Sequence, residues 1–543
     1  MLTKRKWMFM LVVTSMLILI VGVFGTQAQD DAESNVLQVG MPQPLTLDPA
    51  LGTNDHEVII SRHIYDYLVE LRPNGELVPS LAEDWEISDD GLTYTFELVE
   101  NATFHDGSGF TSADVVYTFN RLAEVGSSAM GLLGQNVVGE DDEGNAITEA
   151  AFTVEATDDY EVIFTLDQPN ADFLFGIASR FSAILPAGLE TPNSIEEGVA
   201  TFNGTGPFQL ASADDFDAGE RLILTTNDNY WGDVPALDAI EFIFIGDPST
   251  QVDALRSGQV DFIMRIPDDL LPNLQGEDGI TVTSVASNGH PAIRLRSDAG
   301  HLGEDVRVRQ AFKHATDREL LNLDVLDGLG TVGNNDPIGP VYGPLYTPAE
   351  TLAYDPQRAC DLLAEYAAET PDNPWVTLDG DTPTLEIDFY VVDALGYPLL
   401  AEFMQQQWQE GCIDVNLIVR QETIYYGEGE WLEVDLGLTG WGSRPTPQEY
   451  LNVAYTTGAP FNEAHWSNEE IDRLSAEASQ TADTEERKAL YAEIGEIFVE
   501  EGPVIIPFFR PFHGAYTSEV SGLEMHSFPG RTDLDSVTLG EGM

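Results

Sequence analysis

Leu81-Ala82-Glu83-Asp84-Trp85, then Asp90-Gly91-Leu92-Thr93-Tyr94-Thr95-Phe96-Glu97-Leu98, then Phe104-His105-Asp106-Gly107, then Thr111-Ser112-Ala113-Asp114-Val115-Val116-Tyr117, closing at Arg121, is the stretch whose reading decides the fold. Tyr94, Phe96 and Leu98 alternate with Thr95 and Glu97, the period of a half-buried strand. Asp106-Gly107 marks a turn. Thr111 can cap a helix whose apolar face includes Val115, Val116 and Phe119.

The same mixture continues outward. Leu385, Ile387, Phe389 and Val391 alternate with polar neighbours, a helical pattern runs from Pro398 to Gln409, and a strand follows over Val415 to Val419. That is a strand–helix–strand unit of an α/β lobe. Asp483 with Glu486 resembles a capping box, and Leu490, Ile494, Ile497 and Phe498 then form an apolar helical stripe suited to a core. Short Pro/Gly/Asp clusters, such as Gly139 to Asn145 and Asp372 to Thr384, punctuate the chain.

Residues 1–28 read as an export signal: Lys4, Arg5 and Lys6, an apolar run from Met8 to Phe24, and Thr26-Gln27-Ala28 as the cleavage site. The alternative is a membrane anchor, but a polar, acidic segment follows at once. The two cysteines, Cys360 and Cys412, lie far from that site, which argues against lipid anchoring. Cleavage leaves about 515 of the 543 residues, enough for two or three domains. The formal charge of −69 becomes about −72 with three leader cations gone, and Lys313 and Lys488 are then the remaining lysines. Such a body repels nucleic acid and anionic membranes. In an exported chain Cys360 and Cys412 are candidates for a disulfide; the alternative is two buried free thiols.

The opening stretch closely resembles the signature of the family 5 extracellular solute-binding proteins, the dipeptide-, oligopeptide- and nickel-binding components of ABC importers. One departure is Val99, where the family usually has a basic residue. The resemblance continues through Gly204-Thr205-Gly206-Pro207-Phe208, Asn227 to Gly232 with Pro235 and Leu237, and Ala254-Leu255 with Ser257-Gly258 and Val260-Asp261. It runs on through Val306-Arg307, Arg309 to Phe312, Asp317-Arg318, Tyr354-Asp355-Pro356 with Leu362-Leu363, and Gly440-Trp441. Asn462, Trp466-Ser467-Asn468, Ile471-Asp472 and Arg487 with Leu490-Tyr491 complete it.

The resemblance implies an α/β fold of the type II periplasmic binding protein, with two lobes, a hinge and an accessory domain. It places one lobe in residues 29–79, 201–290 and 506–543, the accessory domain in 80–200 and the second lobe in 291–505. It implies a monomeric, exported, periplasmic or extracellular receptor without cofactor, metal or catalytic groups. That receptor hands a peptide or peptide-like solute to permease subunits served by a separate ATPase chain. A non-peptide ligand (an opine, oligosaccharide or nickel chelate) or a sensory role is the alternative. Ligand contacts are expected from Trp441, Gly442, Arg444, Asn462, Asn54 and Asp55.

Other chemistries find no support. Gly204 to Phe208 lacks the Gly-Lys-Ser/Thr ending of a phosphate loop and reads as a turn. His56-Glu57 is followed by Ile60 where a zinc-protease motif needs histidine. No Gly-x-Ser-x-Gly elbow occurs. His105 sits in a turn and reads as structural, and His465 beside Asn462 reads as surface decoration rather than a metal ligand.

The segment Trp441-Gly442-Ser443-Arg444-Pro445-Thr446-Pro447 bears most on ligand choice. Peptide-binding relatives carry an aspartate a few residues after the tryptophan, where it pairs with the ligand's ammonium. Arg444 stands at the best-aligned position. Its fork suits a carboxylate, phosphate or polyol and cannot receive an ammonium. Alternatively Arg444 pairs with one of the many acids, since 93 acids outnumber 24 bases; Asp393 and Glu422 would then be available as amine anchors.

Overall fold

Strand Thr93–Leu98 buries Tyr94, Phe96 and Leu98 on one face, as its alternation predicts. It lies between Ala82–Ile87 and Glu161–Leu166, both antiparallel to it, and Phe152–Asp158 completes a four-stranded sheet. Helix Ser112–Glu124 follows, capped by a reciprocal box between Thr111 and Asp114. Val115 and Phe119 are fully buried on it, and Phe119 meets Phe164 edge-on at 4.9 Å. These observations come from a computed structural model that describes residues 35–140, 146–194, 198–427 and 429–540. The expected export signal at 1–28, and most of the Gly139 to Asn145 cluster, lie outside the described residues.

Two larger sheets carry the rest. In the first, Val36–Met41 lies parallel to Ala239–Phe244 and Phe262–Ile263. Arg221–Thr226 extends one side, and Phe512–Thr517 and Ile280–Val285 extend the other. In the second, His290–Leu295 lies antiparallel to Leu436–Trp441 and Val504–Ile505. Thr382–Val392 runs parallel to both Leu436–Trp441 and Ile413–Arg420. Thr382–Val392 and Ile413–Arg420 flank helix Tyr397–Glu410 in sequence, so the strand–helix–strand reading describes a real parallel unit. Trp408 on that helix is fully buried and donates its Nε1–H to Thr316 Oγ1 at 2.9 Å.

The chain passes between the two large sheets twice. It leaves the first after Val285 to enter the second at His290, and it returns between Val504–Ile505 and Phe512–Thr517. The two crossings are bonded together: Arg510 N–H donates to Gly289 O at 2.7 Å, and Ser287 Oγ donates to Arg510 O at 2.6 Å. The Arg510 guanidinium bonds Asp268 on the first-sheet side (2.6 Å) and Leu395 O on the second-sheet side (2.7 Å).

Several motif residues turn out to be fasteners. A Cβ on Gly204 would fall 1.9 Å from Ile64 O, and one on Gly206 2.6 Å from Ile64 C, so this turn needs glycine to approach the end of helix Asp55–Ile64. His105 Nε2 bonds Gly206 O at 3.0 Å, which ties the Asp106-Gly107 turn to the same glycines. Tyr230 OH and Trp231 Nε1 donate to the two oxygens of buried Asp66, at 3.1 and 2.8 Å. Arg121 grips Asp48 with two nitrogens, at 3.1 and 2.5 Å.

Cys360, on helix Pro356–Glu369, is bonded to Cys412, which precedes strand Ile413–Arg420, across 52 positions of sequence. A closed loop of that length restricts the unfolded chain, and its opening costs about 2–4 kcal/mol. Reduction should lower the melting temperature, and Cys360→Ala/Cys412→Ala should melt at that lower temperature with or without reductant. A melting curve that ignores reductant would contradict this.

Candidate binding cleft

Strand Leu436–Trp441 ends the second sheet beside the crossing segment, and the loop that follows is held at several points. Trp441 Nε1 donates to Glu463 Oε1 at 3.1 Å. Glu463 is buried, also accepts from Thr439 Oγ1 at 2.8 Å, and lies 3.4 Å from the buried Arg294 guanidinium. The Trp441 ring stands edge-on to Tyr450 at 6.2 Å. Tyr450 OH lies 2.9 Å from Asn288 O and 2.8 Å from Gly442 O, and Ser443 Oγ accepts from Asn288 N–H at 3.2 Å. The loop is thus pinned directly to a crossing segment.

At its far end the loop meets the segment after the four-stranded sheet. Thr446 Oγ1 donates to Asp172 Oδ2 at 2.6 Å, and Arg487 pairs with Asp172 Oδ1. Arg487 also bonds Ala171 O at 3.1 Å and Tyr491 OH at 2.9 Å, which explains why Arg487 and Tyr491 occur as a block. Asp172, Thr446 and Arg487 are all buried.

Between these fixed points lies a set of charges without contact partners. Arg444 is half-buried; among the described residues its side chain makes no ion pair and no hydrogen bond, and its Nε is shut off from solvent. Glu449, on the next turn, has a buried Oε2 with no hydrogen-bond partner. Burial raises its carboxyl to about 7; Arg444 opposes that rise, Asp172 adds to it and Arg180 opposes it. Arg180, from the segment following helix Phe173–Ile177, is also half-buried and within electrostatic reach of Asp55, Arg531, Arg444 and Glu449. Its guanidinium lies over the Phe181 ring at 4.8 Å but makes no ion pair among the described residues.

The expected contact residues divide. Trp441, Gly442 and Arg444 lie on this loop, and Asp55 faces the same charges through Arg180. Asn54 caps helix Asp55–Ile64, and Asp55 is paired with Arg265 at 3.1 Å. Asn462 spends its amide on its own loop, donating to Trp466 O (2.7 Å) and Thr456 O (3.2 Å) and accepting from Trp466 N–H. It also lines a separate surface pocket of about 330 Å³ with Glu433, Pro460, His465 and Trp466. His465 Nε2 in that pocket is 2.7 Å from Leu432 O. Asp172, Arg180 and Glu449 were missed in the sequence. The available signal was Arg180 itself, one cation in the apolar run Phe173 to Phe181 of an acid-rich chain.

Atoms of His63, Asp533 and Asp535 lie within 4.8 Å of one another, a spacing that suits a metal ion. The imidazole is already engaged: Nδ1 is 2.6 Å from Ile59 O, and Nε2 accepts Leu534 N–H at 3.1 Å. Arg62 lies 3.6 Å from Asp533. These bonds tie the 533–535 segment to its helix and leave the imidazole no lone pair to offer.

Residues 76–462 match the family described as "Bacterial extracellular solute-binding proteins, family 5 Middle". "Heme-binding protein A" of Haemophilus influenzae is 26% identical over 513 residues, covering 88% of each chain. The "Dipeptide-binding protein" of Escherichia coli is 25% identical over 497 residues, covering 84% of this chain and 86% of its own. The structure of HbpA2 from Haemophilus parasuis superposes with a TM-score of 0.76 at 25% identity, over 93% of this chain and all of the other. The architecture is accordingly that of a type II periplasmic binding protein with an extra domain.

Glu449 supplies a test that needs no ligand. Its folded-state carboxyl holds its proton to about 7, whereas an unfolded one releases it near 4.5. Stability is therefore lost through this group as pH rises between those values, with no further loss above them. Glu449→Gln removes the effect. Its melting temperature should gain on the unaltered protein from pH 4.5 to 7 and hold that gain at pH 8. A difference independent of pH would show that the carboxyl is not buried in this way.

Proposed function

The chain belongs to family 5 of the bacterial extracellular solute-binding proteins, and from that premise we propose that it captures an acidic organic solute in the cleft beside Arg444. The family sets the coarse function: a non-catalytic substrate-binding component of an ABC-type importer, acting outside the cytoplasmic membrane with permease and ATPase partners. We place one lobe in 29–79, 201–290 and 506–543, the accessory domain in 80–200 and the other lobe in 291–505. Closure then turns on the paired crossings at 286–289 and 506–511.

The observation that carries the ligand reading is the half-buried Arg444, unpartnered among the described residues, in a chain with 93 acids and 24 bases. A guanidinium withdrawn from water without a counter-ion is costly, and an anionic ligand removes that cost. An opine or another carboxylate-bearing solute fits this better than a free-amine dipeptide. Trp441, its indole N–H already given to Glu463, offers an apolar face for an amide plane or a sugar ring. Glu449 favours one second reading. It is the carboxyl left over in the cluster, and a peptide ligand would set its ammonium there.

Arg444→Ala should weaken binding by about 1.5–3 kcal/mol, or roughly one to two decades, the loss of a charged hydrogen bond in a closed site. The melting temperature of the empty protein should not fall, because among the described residues Arg444 makes no ion pair or hydrogen bond for the change to remove. Calorimetry with opines, N-acetylated peptides, free dipeptides and oligosaccharides measures this. Tight binding of free dipeptides, indifferent to Arg444→Ala, would reject the anionic reading in favour of the amine one.

A further inference from the structure

Arg180 belongs to a different part of the chain from Arg444, yet the two share one electrostatic environment and both face Glu449. The other charges acting on Arg180 and Glu449 are already paired. Asp55 meets Arg265 at 3.1 Å. Arg531 meets Glu70 at 3.2 Å. Asp172 is bound by Arg487 and Thr446. What remains is two guanidiniums and one carboxyl, none in contact with an opposite charge among the described residues.

Two like charges brought together in a partly dry space repel each other, and burial penalises the Arg180 charge. Arg180 is also restrained by its position over Phe181, its guanidinium 4.8 Å from the ring centre. In a chain with this surplus of acids, a counter-ion for each arginine was the simpler arrangement. Glu449 does not supply it, since it stands out of contact with both.

We infer that the ligand carries two anionic groups, one received by Arg444 and the other by Arg180, so that the segment after helix Phe173–Ile177 helps select the ligand. This rests on the reading that the cleft beside Arg444 is the ligand site. A monoanion leaves one guanidinium unpaired; a dicarboxylate or a similar dianion satisfies both with the planar, two-toothed geometry that arginine favours.

The test compares N-acetylglutamate with N-acetylglutamine, its singly charged amide, by calorimetry on the full exported chain. The diacid should bind at least about tenfold more tightly. Arg180→Gln should abolish that ratio while sparing the monoacid, and Arg444→Ala should weaken both. A readout independent of probe size is the melting temperature in sulfate against chloride at equal ionic strength. Sulfate should stabilise the unaltered protein more than Arg180→Gln. A diacid preference near unity, one that survives Arg180→Gln, or an equal sulfate response in the two proteins would overturn the inference. Indifference of all binding to Arg444→Ala would instead remove the underlying assignment of the cleft.

Discussion

The arrangement of the cleft depends on the buried pair between Arg487 and Asp172. Asp172 follows the four-stranded sheet, and Arg487 lies on helix Thr484–Glu500, more than 300 residues further along the chain. Thr446 gives Asp172 a second donor, so its two oxygens are both occupied. Removing one partner of such a pair strands the other in the interior and costs about 3–5 kcal/mol. The pair draws the segment carrying Arg180 against the loop carrying Arg444, which leaves both guanidiniums in one partly dry space.

The loop itself is tensioned between two bodies. Its start is bonded to the crossing segment through Ser443 and Tyr450, and its end to Asp172 through Thr446. The loop that carries Arg444 is therefore placed by side chains from both the crossing segment and the segment after the four-stranded sheet.

Charge is distributed with the same economy elsewhere. Lys313, one of two lysines beyond the leader, is fully buried, and its ammonium donates to Phe498 O (2.7 Å) and Val499 O (3.1 Å) near the end of helix Thr484–Glu500. There it satisfies orphan carbonyls and meets the negative end of the helix dipole. Arg309 likewise bonds three carbonyls, Gly303, Glu304 and Glu501. Few cations are present, and several are spent on backbone oxygen, whereas Arg180 and Arg444 make no ion pair among the described residues.

The sequence by itself determined the elements and the family. Alternation at Tyr94, Phe96 and Leu98, the cap at Thr111, and the unit from Thr382 to Arg420 are local patterns, and each is a local solution to burying an apolar face. Arg444 was legible as a departure at one position of a recognisable loop. Tertiary structure alone decided what the motifs are for. The glycines of Gly204 to Phe208 answer to Ile64 O, and the Asn462 amide bonds Trp466 O. Only the fold could show that Arg180 stands within electrostatic reach of Arg444 and Glu449, because that meeting is set by contacts such as Asp172 with Thr446 and Arg487, between residues hundreds of positions apart. Local spacing carries no record of such contacts, nor of the water that burial removes from a charge.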